Sequence, residues 1–480
     1  MSDAIGMAES SYSIGTARRE KISMDEKRER VMDTMSGADA LLWTIGRDPV
    51  LRPTVIAVMV LDKSPDWATM QARVATLTEI VPRLRSHAVV RPWGRGRPQF
   101  IEDGHFDLAL HLRRMALPPG ATFRDVLDIA QIMGTTGFDP FLPLWEVVET
   151  DGFDGERAAL IVKLHHSLVD GVGGFAVLLH LLDAERNAAS SRSPASTDAG
   201  PTTPFDLMKY LQGPRKVIDA ALQAVVRPAE SIQHLVSTGA SVARLLAPAR
   251  QPISPLMTER SFRRTFEVVD LPKGKLRRAA TATGGTLNDA FVASVVRGLK
   301  RYHGLHGAVL DEIRALMPVN VRTKDDTAGG NHFVPARFVV PTGTDASECV
   351  RAVQRITDQW KHAPGLALSN VLADALSFLP APVATSIWGS MLKGDDFCVT
   401  NIPGPAFKAF IASSRVERIY AFAPPSGSAL NVSLISLAGR ECVGIAVDSA
   451  AVSDSSKLAV CIEEGFCEVF ELGRVQPPGR

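Results

Sequence analysis

Between about residues 36 and 184 the chain alternates short apolar runs with stretches of helical periodicity. Val55-Ile56-Ala57-Val58-Met59-Val60-Leu61 and Ala159-Leu160-Ile161-Val162-Lys163-Leu164 have the length and β-branched content of buried strands. Val172, Phe175, Leu178, Leu179 and Leu182 then recur at helical spacing. This alternation predicts an α/β layer structure. At residue 186 the pattern stops. Residues 186–204 are rich in Ser, Ala, Pro and Thr, carry no apolar periodicity and predict a flexible linker. Helical spacing returns over 205–250, broken by Gly213-Pro214 and Pro228. From Pro252 onward the patterns predict a strand over 265–269, a basic helix over 273–282 and strand alternations between 411 and 447. Thr286-Leu287-Asn288-Asp289, with an acid three residues after a threonine and an apolar helical series behind it, has the spacing of a capping box. The predicted organisation is a disordered tail over 1–35, an N-terminal domain over 36–185, a flexible and helical linker over 186–250 and a C-terminal domain over 251–474.

Charge and composition narrow the class. Fifty-three basic against 52 acidic residues leave a formal charge of +1, without the strong basic footprint of a nucleic-acid binder. Five cysteines, Cys349, Cys398, Cys442, Cys461 and Cys467, are odd in number, form no C-x-x-C pair and read as reduced thiols of a cytoplasmic protein. Residues 1–30 are polar and mixed in charge, lacking the apolar core of a secretory signal. No apolar run approaches the roughly 18 residues of a membrane span, so contact with a membrane or lipid inclusion would be peripheral. Six Lys/Arg against three Asp/Glu over 205–250 fit either a solvated helical face or a basic element lying on a bilayer.

The candidate chemistry lies at His165-His166-Ser167-Leu168-Val169-Asp170-Gly171, where an apolar strand meets a glycine and a helical pattern. Because strand side chains alternate in direction, one imidazole is a candidate general base facing a cavity and the other a support. The plain alternative is a pair of hydrogen-bonded core histidines, with Asp170 capping the next helix. Thr400 and Asn401, before Pro403-Gly404-Pro405, are candidate oxyanion donors or simple turn caps. Arg91-Pro92-Trp93-Gly94-Arg95-Gly96-Arg97-Pro98 reads first as a hairpin loop, with attraction for phosphates as its second reading.

Other chemistries fit poorly. Gly171-Val172-Gly173-Gly174-Phe175-Ala176 satisfies G-x-G-x-x-A, yet six residues separate the strand from the first glycine, and the ribose-binding acid would fall in the Ser/Pro-rich linker. There is no G-x-S-x-G nucleophile elbow. The eleven histidines and five cysteines show no metal-ligand spacing, His303-x-x-His306 lying at a Gly-containing helix exit.

The His-His-x-x-x-Asp-Gly pattern resembles the signature of CoA-dependent acyltransferases of the chloramphenicol-acetyltransferase-like superfamily. Together with Pro143-Leu144-Trp145, Leu287-Asn288-Asp289, Pro318-Val319-Asn320-Val321-Arg322 and Asn401-Ile402-Pro403-Gly404-Pro405, the chain is most similar to the bacterial wax ester synthase/diacylglycerol acyltransferase family, from about Ser36 to about Leu472. The resemblance implies an α/β fold of two chloramphenicol-acetyltransferase-like domains with the active site at their interface. It implies transfer of a fatty acyl group from acyl-CoA, as substrate, to diacylglycerol or a long-chain alcohol, with no cofactor and no metal. It assigns the base to His166, a shaping role to His165, a loop-fixing pairing with an arginine to Asp170, for which Arg322 is the candidate, and a steric role to Gly171. Asn288 and Trp145 would line the site, beside their plain readings as a capping-box residue and a core tryptophan. The alternatives are a related acyltransferase using another hydroxyl, an amine or a carrier-protein donor, and a lipid-binding protein without turnover.

Overall fold

The two apolar runs expected as strands pair with each other. Thr54–Leu61 lies antiparallel to Arg157–His165, with Ala57 opposite Val162 and Thr54 opposite His165. The protein is seen in a computed structural model that describes residues 31–90, 97–168, 177–186, 251–320, 333–343, 345–361 and 379–474. Its first half runs β1 (Val31–Thr34), α1 (Gly37–Ile45), β2 (Thr54–Leu61), α2 (Trp67–Ile80), β3 (Ser86–Val89), β4 (Gln99–Glu102), β5 (Leu112–Ala116), α3 (Phe123–Thr135), β6 (Trp145–Phe153) and β7 (Arg157–His165). The second half begins with β8 (Arg264–Leu271), α4 (Lys275–Ala282), α5 (Leu287–Leu305), β9 (Glu312–Asn320), β10 (Phe333–Pro341) and α6 (Ala346–Lys361). It continues through α7 (Ala381–Leu392), β11 (Phe397–Ile402), β12 (Phe410–Ile411), β13 (Ser414–Phe422), β14 (Leu430–Leu437), β15 (Arg440–Asp448) and α8 (Ser455–Leu472). Of the tail expected over 1–35, residues 1–30 lie outside the described residues while Val31–Thr34 forms β1, paired with β4. Residues 187–250 of the expected linker, including its helical part over 205–250, and Asp170, Gly171 and Arg322 also lie outside the described residues.

Two six-stranded sheets carry the fold, in the orders β12-β13-β2-β7-β6-β5 and β10-β9-β11-β14-β15-β8, beside a small sheet β1-β4-β3. Both large sheets are mixed, since β5 runs parallel to β6, and β11 runs parallel to β9 and β14. Sheet membership does not follow the order of the chain. Strand β13, from the second half, extends the first sheet by pairing antiparallel with β2, placing Tyr420 opposite Val58 and Phe422 opposite Ile56.

The second sheet is covered by a helical layer in which α5 is almost wholly buried, Ala290, Phe291, Val292, Ala293, Val295 and Val296 all being inaccessible to solvent. Each such apolar side chain stabilises the fold by about 1.5–3 kcal/mol if it is a large one. The capping box at its start is formed as the spacing predicts: the Asp289 amide donates to Thr286 Oγ1 (3.2 Å) and the Thr286 amide to Asp289 Oδ2 (2.8 Å). Between the halves lies a third apolar cluster, in which Ile56, Val58, Tyr420 and Phe422 of the first sheet meet Phe266, Cys442 and Ala446 of the second. The Phe266 and Phe422 rings stack at 4.2 Å. At Gly444 the approach is so close that a Cβ would stand 2.1 Å from the Ala421 carbonyl oxygen.

Candidate active site

Strand β7 delivers the two histidines to the end of the first sheet, and backbone bonds fix how they leave it. The His165 amide donates to the Leu144 carbonyl (3.0 Å) and the His166 amide to the Pro53 carbonyl (2.9 Å). The chain then turns, closed by the Leu168 amide donating back to the His165 carbonyl at 3.0 Å. His166 stands inside this turn and is half-buried, whereas His165 is 5% exposed.

The His165 ring is packed edge-on against Trp43 (5.6 Å between centroids) and Phe138 (5.8 Å). Its Nδ1 accepts the Ser167 amide at 3.2 Å, with Ser167 Oγ 2.7 Å away. A ring nitrogen that accepts an amide N–H carries a lone pair, so the proton of the neutral ring sits on Nε2. Burial, then the neighbouring charges of His166 and Arg52, hold its pKa down to about 3. His165 is therefore neutral and sealed into the fold. Nearby, Lys163 is buried, pairs with Glu146 at 2.8 Å and faces the Phe138 ring, burial drawing its pKa below the usual lysine range.

Trp145 begins β6 and is 3% exposed. Its indole N–H donates to the Leu84 carbonyl at 2.7 Å and its ring stacks on His111 at 4.8 Å. The plain reading of this residue, a core tryptophan after a proline-led turn, describes its place. Asn288 lies half-buried in the first turn of α5 and donates to Met317 Sδ at 3.1 Å. Its neighbour Asp289 is the acid of the capping box and also accepts the Thr357 hydroxyl at 2.8 Å.

Thr400 and Asn401 lie within β11, which runs on through Ile402, and so they point to opposite faces. Phe397 and Val399, on the Asn401 face, pack in the apolar cluster of the second half with Phe291 and Val432, while Ile402, on the Thr400 face, packs in the cluster of the first half with Leu144, Trp145 and Leu168. Of the two, only Thr400 is turned toward the half that carries the histidines. It hydrogen-bonds the Cys398 thiol together with Asn431, a thiol that burial pushes up to about 12. Asn431 in turn accepts the Ser433 hydroxyl at 2.8 Å, so a buried polar strip runs across β11 and β14 on this face. The turn that follows explains Asn401-Ile402-Pro403-Gly404-Pro405, since a Cβ at Gly404 would stand 1.8 Å from the Ser436 carbonyl oxygen.

Sequence reasoning missed the residues that wrap His165. Trp43 and Gly46 come from α1 and its exit, and a Cβ at Gly46 would lie 3.3 Å from His165 Nε2. Beside this point a cleft of about 720 Å³ opens between Arg47 and Asp48 on one wall and the α7 residues Pro382, Thr385, Ser386 and Gly389 on the other. The cleft thus runs along a seam between the two halves.

Residues 35–291 match the wax ester synthase/diacylglycerol acyltransferase catalytic domain, and residues 329–469 match the WS/DGAT C-terminal domain. A putative diacylglycerol O-acyltransferase of Mycobacterium tuberculosis is 30% identical over 457 residues, covering 92% of this chain and 93% of that protein. Among solved structures, the wax ester synthase/diacylglycerol acyltransferase from Marinobacter aquaeolei VT8 superposes with a TM-score of 0.59 at 18% identity, covering 92% of this chain and all of that one. A mutant starter condensation domain of rhizomide synthetase RzmA, in complex with C8-CoA and Leu-SNAC, superposes with a TM-score of 0.58 at 14% identity, covering 94% of this chain and 96% of its own. These two likenesses establish the expected two-part α/β architecture. With both of its domains matched in order, the chain belongs to the wax ester synthase/diacylglycerol acyltransferase family and is an O-acyltransferase.

Proposed function

We propose that the protein transfers a fatty acyl group from acyl-CoA to the hydroxyl of diacylglycerol or of a long-chain alcohol, with His166 as general base. An alcohol is too weak an acid for an imidazole to ionise outright, so the base acts as the bond forms. The hydroxyl oxygen attacks the thioester carbonyl while its proton passes to His166; the tetrahedral centre then expels the CoA thiolate, which takes that proton. One C–O bond forms and one C–S bond breaks. A thioester is already activated, so the scheme needs no protein nucleophile, cofactor or metal. For the developing oxyanion, Thr400 is a better candidate donor than Asn401, because its face is turned toward the histidine half. Asp170 and Gly171 keep their proposed parts as a loop anchor and as free space beside the base.

The observation that carries this reading is the asymmetry of the histidine pair. His165 is sealed between Trp43 and Phe138, neutral, and poorly basic at a pKa of about 3, which leaves His166 as the one of the two suited to take a proton. Release of CoA from palmitoyl-CoA, with 1,2-dioleoylglycerol and 1-hexadecanol as acceptors, tests it. His166→Ala should lose at least a thousandfold in rate with thermal stability unchanged, and full activity in that variant would sink the base assignment.

We also infer that a lipid acceptor is met at a surface. Among the described residues no helix is long and apolar enough to cross a membrane. Helix α7 nevertheless has no charged residue and leaves Val383 44% and Ile387 37% exposed beside the cleft. Exposed apolar side chains grouped on one face mark an interaction site more often than scattered ones do. A second reading, an amine acceptor, predicts amide rather than ester products by mass spectrometry.

A further inference from the structure

We propose that Arg83 is a positioning residue for the histidine turn. It stands in the short turn Pro82–Arg85 after α2, outside every motif that points to the chemistry. Its guanidinium nevertheless reaches the turn directly: Nη1 donates to the Leu168 carbonyl at 3.2 Å. The same nitrogen lies 3.4 Å from Asp39 Oδ2, and Nη2 donates to Asp33. The group lies 4.9 Å over the Phe100 ring, which is inaccessible to solvent, and the arginine side chain is 16% exposed.

Each partner belongs to a different element. Asp33 lies on β1; Asp39 is the acid of the capping box that Ser36 forms at the start of α1, the helix whose Trp43 packs on His165. Leu168 closes the turn that holds His166, by donating its amide to the His165 carbonyl. Arg83 is thus the peg by which the far end of that turn is fixed to β1 and α1, while the Pro53 carbonyl fixes its near end. A planar guanidinium can serve three acceptors in fixed directions, which a lysine ammonium on a flexible stem cannot. A base must sit within hydrogen-bond reach of its proton, and a misplacement of about 1 Å can cost about a hundredfold in rate.

This inference rests on the reading of His166 as base, and the variants are chosen to separate the two. The probes are palmitoyl-CoA with 1-hexadecanol, followed by CoA release, and thermal unfolding of the full chain. Arg83→Met should lower kcat at least tenfold with KM for palmitoyl-CoA within twofold of wild type, and Arg83→Lys should fall between. Arg83→Met takes the arginine partner from the buried Asp39 carboxylate and should lower Tm; adding Asp39→Asn removes that charge and should recover Tm without recovering kcat. Asp39→Asn alone should leave kcat within twofold. Recovery of kcat together with Tm in the double variant would reduce Arg83 to a structural ion pair, and a wild-type kcat in Arg83→Met would overturn the proposal. If His166→Ala is inactive while Arg83→Met is normal, positioning alone fails; if His166→Ala is active while Arg83→Met is slow, the base assignment fails and the hold on the turn stands.

Discussion

Replacing His165 with glutamine tests the division of labour in the histidine pair through stability rather than rate. His165 is sealed in the fold with a pKa of about 3 against an ordinary 6.5, so between those values the unfolded chain binds a proton that the folded chain refuses. The stabilising contribution is complete above pH 6.5 and is lost as the pH falls toward 3. At pH 5.0 the loss from this residue is about 2 kcal/mol, from 1.36 kcal/mol per pKa unit over the 1.5 units between 6.5 and 5.0. At pH 7.5 it is close to zero. The glutamine still offers a polar group to the Ser167 amide but cannot titrate. It loses the packing on Trp43 and Phe138, so it starts lower at pH 7.5. Urea denaturation at pH 7.5 and 5.0 supplies the comparison: on acidification wild type should lose about 2 kcal/mol more than the variant. Equal losses would mean that His165 titrates normally in the folded state, and the argument that only His166 is suited to accept the substrate proton would go with it.

Three further outcomes follow from separate parts of the molecule. Thr286→Ala removes the hydroxyl that caps α5 and should cost about 1 kcal/mol in urea denaturation while leaving CoA release unchanged, because the cap and not substrate contact explains this residue. Gly444→Ala pushes a methyl group against the Ala421 carbonyl where the two sheets meet and should destabilise the protein by about 3 kcal/mol or more, seen as a lowered Tm or loss of soluble protein. Ile387→Asp should weaken co-flotation with phosphatidylcholine/phosphatidylglycerol vesicles while leaving hydrolysis or transfer from a soluble short-chain acyl-CoA intact; undiminished flotation would remove α7 from the lipid-surface reading.

What the sequence discloses here is whatever a local period encodes. The β-branched runs become β2 and β7, the Thr286 spacing becomes a capping box, and Trp145 is a core residue after a proline-led turn. Thr400 and Asn401 show where a local reading stops short: seen as polar groups ahead of a turn they look equivalent. Strand β11 includes both, and a period of two sends them to opposite faces. Strand β13 was legible as a strand but not as a member of the first sheet, because alternation specifies a half-buried strand and not its neighbour. Arg83 left no signal, since an arginine after a helix is ordinary and its acceptors, Asp33 and the Leu168 carbonyl, are 50 and 85 residues away. Asp170 and Gly171, at the heart of the motif, lie outside the described residues, so their part still rests on the sequence.

The crossing of β13 bears on how the reaction must be arranged. Strand β13 is hydrogen-bonded into the first sheet along Val416 to Phe422, and Asp183 pairs with Phe410 just before it. The second half is therefore stitched into the sheet that carries the histidines, and Arg264 adds a bond from β8 to the Val50 carbonyl in the approach to β2. Opening the halves like a hinge would break this ladder and expose the backbone groups paired in it. Substrates that enter along existing seams, such as the cleft between Arg47 and α7, avoid that cost. A fixed frame also suits the proposed reaction, in which one imidazole takes the proton: on that proposal the rate depends on where His166 stands, and a sheet built from both halves holds that position.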